Sequence, residues 1–294
     1  MNADSTFHIG ASHAVCQDYS LAGEAGLSSA RAEGLDATQR ERRPYVILSD
    51  GCSSSADTDI GARLLVKAAE RMLGELGGSQ PCDPARIHLE AARRALRWAK
   101  LLGLRPQAVD ATLLTVHLDG EDLVVGCSGD GVVCLLTRAG ALDVYSISYA
   151  SNYPLYPAYA HQPARLLALA GAEGGRTGKE VRHFRSASLE ERLRPCGAFV
   201  RDSPTEVFTV KAADYKYAAI FSDGVHSFFD TGQTEAGGRG VAVPLEQVLR
   251  GLISFKSTRG AFVERRMKMF LRDCLHRGWR HADDLSIGAL HLGG

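Results

Sequence analysis

Three times in this chain an apolar stretch ends in a small residue, an aspartate and a glycine: YVILSDG (Tyr45–Gly51), LVVGCSGDG (Leu123–Gly131) and YAAIFSDG (Tyr217–Gly224). A fourth acidic site, Asp283-Asp284, leads into the last apolar run, and a fifth, Asp18, follows Gln17 near the start. A lone Asp-Gly is most often a turn. Turns alone do not explain why the same ending recurs after buried-type strands. A carboxylate at a strand end supplies charged oxygen, and the glycine beside it lets a main-chain carbonyl come close to a hard cation. If those strands are neighbours, the carboxylates converge, repel one another and become costly to ionise. Divalent cations remove the problem. No Cys-x-x-Cys or His/Cys cluster is present, so all-oxygen ligation points to magnesium or manganese over zinc or copper.

The elements that must carry these residues follow from periodicity. Tyr45–Leu48 has the length and β-branched content of a buried strand, and Cys52–Ala56 is a small-residue loop. Asp57, Thr58 or Asp59 can cap a helix whose apolar positions are Ile60, Leu64, Leu65, Ala68, Met72 and Leu76. A second helix runs from Pro84 to about Leu102, with arginines opposite its apolar face. Thr112–Leu118 and Asp122–Cys127 form a hairpin turning at Asp119-Gly120, followed by strands Val132–Thr137 and Leu142–Ser148. Glu206–Val210, Tyr217–Phe221 and Leu285–Leu292 complete the strands, and helices follow Pro244 and span Ala261–His276. Phe7–Ala22 alternates weakly, as an antiparallel strand pair would. Gly23–Pro44 and Thr231–Gly240 read as loops. The tyrosine- and proline-rich Tyr149–His161 either lines a groove or packs over a sheet, and Gly171–Gly178 is either a flap or a plain surface loop. No repeat or Pro/Ser linker divides residues 1–294, which are expected to form one domain.

Acidic and basic residues balance at 34 each, which gives no electrostatic reason to expect nucleic acid or anionic lipid as a partner. The short run Arg40–Arg43 is broken by Glu41 and reads as solvated loop. Met1–Gly10 lacks the apolar core of a signal peptide, and no apolar run approaches a membrane span. The seven scattered cysteines read as reduced thiols, so the expected location is cytoplasmic, with no membrane partner.

Taken in order, Gln17-Asp18, Asp50-Gly51 with its following helix, Ala111-Thr112, Gly129-Asp130, Ser222-Asp223-Gly224 and Asp283-Asp284-Leu285-Ser286-Ile287 resemble the motifs of a known family. It is the metal-dependent protein phosphatases of type 2C, in particular their bacterial branch. The resemblance covers nearly the whole chain. It implies an α+β fold, a four-layer αββα sandwich with two central antiparallel sheets flanked by helical pairs. By position it implies that Asp50 bridges two Mn²⁺ or Mg²⁺ ions and Gly51 offers its carbonyl oxygen. Asp223 and Asp283 complete one ion's protein ligands, and Asp130 helps to hold a third, weaker ion. Asp18 and Asp284 stand behind the ligands, Asp284 in place of the family's usual asparagine. Two ions roughly 3.5–4 Å apart share a water and lower its pKa towards neutrality. The resulting hydroxide attacks phosphoserine or phosphothreonine in a protein substrate directly, without a phosphoenzyme. A partner Ser/Thr kinase is implied as the source of that substrate.

Besides Asp284, three positions depart from patterns seen in the family. Gln17 stands where much of the family has glutamate and supplies no charge. His13 falls where a phosphate-gripping arginine is common, and it lacks that bidentate fork. Cys52 occupies the place of a histidine found in animal members and reads as a small packing residue. The departures leave a second reading, a pseudophosphatase that keeps the fold as a binding or regulatory module. Against it, a protein that has lost catalysis has no physical need for Asp50 with both of its partners.

Overall fold

The computed structural model describes residues 1–25, 43–76, 83–150, 153–172, 178–201, 203–234 and 240–293. The chain opens with β1 (Asn2–His8), β2 (Tyr19–Ala25) and β3 (Arg43–Ser49), then helices α1 (Thr58–Leu76) and α2 (Pro84–Leu101). Four strands follow: β4 (Leu113–Asp119), β5 (Asp122–Ser128), β6 (Gly131–Thr137) and β7 (Leu142–Tyr149). After α3 (Pro163–Ala172) come β8 (Lys179–Ser186), β9 (Arg194–Val200), β10 (Thr205–Lys211), β11 (Tyr215–Phe221), β12 (Phe228–Thr234) and β13 (Gly240–Ala242). Helices α4 (Leu245–Ile253) and α5 (Phe262–Arg277) and strands β14 (Trp279–His281) and β15 (Leu285–His291) end the described chain.

Two antiparallel sheets form the centre. One has seven strands in the order β1-β15-β11-β6-β7-β8-β9, the other five in the order β10-β5-β4-β3-β2. The two-residue period of a strand sorts their side chains. On β3, Val46 and Leu48 enter the core between the sheets, while Tyr45 and Ile47 face α1 and α2. On β11, Ala218 and Ile220 join the same inter-sheet core, and Tyr217, Ala219 and Phe221 face α4 and α5. The central strands of each sheet are therefore buried on both faces, and the order of layers is helices, sheet, sheet, helices. This is the expected αββα sandwich. Local signals start and stop the helices. Asp83 caps α2 by accepting the Ala85 amide at 3.1 Å, with Pro84 behind it in the first turn, and Gly278 ends α5 at φ 78°.

Several segments differ from expectation. Phe7–Ala22 is not a strand pair within one sheet, because β1 pairs with β15 and β2 with β3 in different sheets. Thr231–Gly240 is not all loop: β12 runs to Thr234 and pairs with β13 and β14 in a small third sheet. Strands β8 and β9 had no apolar alternation to mark them, since β9 is exposed along nearly its whole length at the edge of its sheet. Most of Gly23–Pro44 and the centre of Gly171–Gly178 lie outside the described residues.

Antiparallel pairing gathers strand ends. Leu48 of β3 is level with Leu114 of β4, and Ser128 of β5 with Leu113, so β3 and β5 end where β4 begins. In the other sheet Phe221, the last residue of β11, is level with Val132 near the start of β6 and Ile287 near the start of β15. Between β5 and β6 the chain crosses from one sheet to the other at Gly129–Gly131. Gly129 has φ 88°, and a Cβ on it would lie 2.7 Å from the Thr112 methyl, so only glycine fits.

Leu114 is fully buried between the sheets, in the core that holds these ends in place. Leu114→Ala is expected to cost about 2–5 kcal/mol of unfolding free energy. The measurement is a shift in the urea midpoint at unchanged slope, and a loss below about 1 kcal/mol would mean that the layers repack freely.

Candidate metal centre

The strand ends carry the carboxylates that the sequence singles out. Asp50 follows β3, Asp130 sits in the crossover between β5 and β6, Asp223 follows β11, and Asp283 and Asp284 precede β15. Asp18 precedes β2, whose Tyr19 is level with Ser49. A cleft of about 340 Å³ opens onto Asp50, Asp130, Asp223 and Asp283, with His13, Gly51 and Cys52 also on its wall. Asp18 and Asp284 lie beneath it, each 1% exposed.

Each carboxylate is oriented by the elements around it. The Asp50 amide donates to Thr112 Oγ1 at 2.9 Å, and the Thr112 amide returns a bond to the Asp50 carbonyl at 2.8 Å, locking β3 to the start of β4. Gly51 donates its amide to the Gln17 carbonyl, and a Cβ there would lie 2.8 Å from the Thr58 carbonyl oxygen. The first turn of α1 thus approaches too closely for any other residue. Ser222 Oγ donates to Asp18 Oδ2 at 2.7 Å. Asp284 is the best satisfied of the set, accepting the Gly10 amide at 2.7 Å and the Gln17 amide at 2.6 Å. His13 stands between the last two acids, Nδ1 3.0 Å from Asp284 and Nε2 3.4 Å from Asp283. The Gln17 side-chain amide faces away from the acids and donates to Thr58 Oγ1 at 2.7 Å.

The electrostatics follow from crowding. Burial pushes Asp18 up to about 7, against hydrogen bonds from Ser222 and Ser286 and with Asp223 adding repulsion. Burial likewise lifts Asp50 well above the usual carboxylate range, reinforced by the charges of Asp18 and Asp223. Asp130 rises to about 8 through burial and then Asp223. Asp223 is raised by burial and by Asp283, although its contact with Asp50 pulls the other way. Burial pulls His13 down, but the hydrogen bond and charge of Asp284, with Asp283 behind, outweigh it and leave the imidazole easier to protonate. Two buried carboxylate oxygens, Asp18 Oδ1 and Asp223 Oδ1, have no hydrogen-bond partner.

Hard oxygen donors, raised proton affinity and orphaned carboxylate oxygens fit a divalent cation. Among the described residues no group of three or more His, Cys, Asp or Glu side chains already stands at metal-ligand spacing. The acids converge without closing on a point, as mutually repelling groups do.

Nothing in the sequence marks the hydrogen bonds that several neighbours make. Ser222, Thr58 and Ser227 are ordinary small polar residues whose roles depend on strand and turn geometry, the last donating to the Gly224 carbonyl and accepting the Asp283 amide. Tyr149–His161 resolves as both of its alternatives. Tyr149, Leu155, Tyr156 and Tyr159 pack into the inter-sheet core, while Tyr153, Pro154 and Tyr156 also line the cleft.

The shifted carboxyls set a pH dependence. In an unfolded chain they titrate near 3.9. The folded chain without cations keeps the Asp18 and Asp130 protons to about 7 and about 8. Across that window the native state binds more protons than the unfolded state, so stability falls as pH rises. Denaturation in chelator from about pH 4 to about pH 8 is expected to show this decline, and Asp130→Asn should flatten its upper part. A profile that rises over the same window would contradict these environments.

A profile of the protein phosphatase 2C family matches residues 11–272. No curated protein sequence matches the chain. Among solved structures it is similar to a Streptococcus agalactiae serine/threonine phosphatase, at 13% identity and TM-score 0.54 over 99% of each chain. It is similar to the Mycobacterium tuberculosis serine/threonine phosphatase PstP/Ppp, at 15% identity and TM-score 0.52 over 99% of this chain and 98% of that one. A catalytic domain of the serine/threonine protein phosphatase PstP, solved with two manganese ions, matches at 15% identity and TM-score 0.50 over 98% of this chain and 96% of that one. At these identities the likeness is one of fold. The family profile reaches further, extending from the His13 loop through the crossover carboxylate to α5, and this chain belongs to the protein phosphatase 2C family.

Proposed function

We propose that this protein is a Mn²⁺- or Mg²⁺-dependent serine/threonine protein phosphatase that hydrolyses phosphomonoesters without a phosphoenzyme. The observation that carries the reading is the meeting of Asp18, Asp50, Asp130 and Asp223 at one end of the two sheets, with Asp18 Oδ1 and Asp223 Oδ1 left unpartnered. Asp50, Asp223 and Asp283, with the Gly51 carbonyl, are the groups to hold two cations, and Asp130 is placed for a third, weaker one. A relative of the same fold binds two manganese ions. When bound, the ions supply Lewis acidity, activating water at neutral pH and neutralising charge on the phosphoryl group.

The remaining work belongs to the chain. Thr112 fixes the Asp50 main chain through two hydrogen bonds, so a cation held there would meet a carboxylate of fixed aim. Asp18, held by Ser222, stands behind Asp50, and Asp284 holds Gly10 and Gln17 as it positions His13. His13, kept easier to protonate by Asp284 and Asp283, is placed to donate to a phosphate oxygen. Tyr153, Pro154 and Tyr156 form an apolar wall beside the acids, against which the substrate chain can lie. Cys52 takes no part in the chemistry. The substrate class is a phosphoserine or phosphothreonine protein, supplied by a Ser/Thr kinase. Among the described residues no helix is long and apolar enough to cross a membrane, and the six described cysteines are free thiols, which supports the cytoplasm as the site of action.

One observation favours the pseudophosphatase reading. Gln17 spends its amide on Thr58, and His13 is engaged by two aspartates, so both of these departures from the family pattern are tied into the scaffold.

Manganese-dependent hydrolysis of a generic aryl phosphate, with and without chelator, separates the two. Wild type is expected to turn over and Asp50→Asn to lose at least about a hundredfold. Manganese at a hundred times its Kd should stabilise the wild-type fold by about 2.7 kcal/mol, read as a rise in Tm that Asp50→Asn largely lacks. Stabilisation without turnover supports the binding module. Neither effect would remove the metal centre altogether.

A further inference from the structure

A second pocket, of about 290 Å³, lies between α4 and α5 on the outer layer of the seven-stranded sheet. Arg250, Arg266 and Arg277 line it together with Gln247, Ser254 and a single carboxylate, Asp273. None of the three guanidinium groups forms an ion pair with Asp273 or with any other acid of the described residues. Arg266 Nε donates to the Gly251 carbonyl, and Arg277 rests over the Trp279 ring at 5.2 Å. Arg250 Nε and Nη2 are out of contact with water and have no acceptor.

A solvated basic face is the ordinary explanation for arginines on outer helices, and cations near helix C-termini are favourable in their own right. That explanation accounts for the charge of Arg250 and Arg277. It leaves the buried Arg250 N–H groups unexplained, since an unsatisfied charged donor out of water is one of the costlier defects a fold can carry. Burial also pulls Arg266 down from the usual guanidinium range, with Asp273 only partly compensating. Three forks against one carboxylate leave an excess of about two positive charges. Guanidinium groups meet tetrahedral oxyanions with paired N–H bonds, and the Gln247 amide extends the donor set.

We propose that the pocket between α4 and α5 binds a small phosphate-bearing anion, with Arg250, Arg266 and Arg277 as its ligands. The volume admits a phosphate group with a small substituent. The site is separate from the acidic cleft and does not depend on its chemistry. On its other face α4 packs Val248 and Leu249 into the same core as Val225, two residues beyond Asp223. An occupant therefore bears on the helix that backs the turn carrying that aspartate.

The test is calorimetric titration of inorganic phosphate into the full chain in chelator, at constant ionic strength, with Tm measured in parallel. Without cations the crowded carboxylates of the cleft repel phosphate, so binding there is suppressed. The expected result is one saturable site, a raised Tm relative to equal ionic strength of chloride, and affinity weakened at least about tenfold in Arg250→Gln and in Arg277→Gln. Arg277 is exposed, so its variant folds even where Arg250→Gln does not, and Arg250→Lys, which keeps the charge without the fork, should fall between. Absence of saturable binding to wild type overturns the proposal. So does equal affinity in wild type and Arg277→Gln, or a loss that follows His13→Gln instead, which would place the phosphate in the acidic cleft.

Discussion

Carboxylates that are both desolvated and close together govern this structure. An ionised carboxylate loses several kcal/mol on leaving water, and a like-charged neighbour adds to the cost. Asp18, Asp50, Asp130 and Asp223 accept both penalties at one place and respond by holding protons above the normal carboxylate range, Asp18, Asp50 and Asp130 well above it. The chain folds around them because neutral carboxyls are tolerable in a core where charged ones are not. The surrounding hydrogen bonds, from Thr112 to the Asp50 main chain, from Ser222 to Asp18 and from two amides to Asp284, fix position without supplying enough positive charge to ionise the set. That shortage is what a pair of divalent ions would answer.

Elsewhere the same chain shows how it buries polar groups when no ligand is involved. His88 lies wholly inside, between α2 and the five-stranded sheet, with Nδ1 2.8 Å from Ser128 Oγ and Nε2 2.9 Å from Thr115 Oγ1. Burial holds it neutral by pulling its pKa down to about 3, and both ring nitrogens are matched. Lys179, 1% exposed, is paired with Glu206 at 2.7 Å and ties β8 to β10 across the two sheets. Completed pairs of this kind are the structural norm for buried polar groups. By contrast, Asp18 Oδ1, Asp223 Oδ1 and the Nε and Nη2 of Arg250 are among the buried polar atoms of the described residues without a hydrogen-bond partner.

Much of this was legible in the residues because the signals are local and repeated. A strand such as Tyr45–Leu48 alternates between two apolar environments and announces burial on both faces, and the Ser-Asp-Gly endings then mark where the chain turns at the same level. Helices α1, α2, α4 and α5 read correctly to within a residue or two, with Asp83-Pro84 and Gly278 marking ends chemically, whereas α3 was not anticipated. What escaped was decided by pairing. Nothing between Phe7 and Ala22 says that β1 and β2 belong to different sheets, because that depends on β15 and β3, far away in sequence. The edge strand β9 carries charge and little apolar pattern, and β8 beside it is only partly buried. Within the site, Asp50 and Asp223 were recognisable from motif. The hydrogen bonds of Ser222, Thr58 and Ser227 were not, since small hydroxyl residues acquire a role only once the backbone brings a donor or acceptor within reach.

The crossover at Gly129–Gly131 has a further consequence. Asp50 hangs from the five-stranded sheet, Asp223 and Asp283 from the seven-stranded one, and Asp130 from the chain segment that joins them. The spacing of these acids therefore depends on the thickness of the sandwich, which is filled by a core that includes Leu135, Ile220, Val116 and Val125. Side-chain volume deep in that apolar layer acts as a spacer between two jaws. Substitutions in that layer can thus widen or narrow the spacing of these acids through core residues that never touch them.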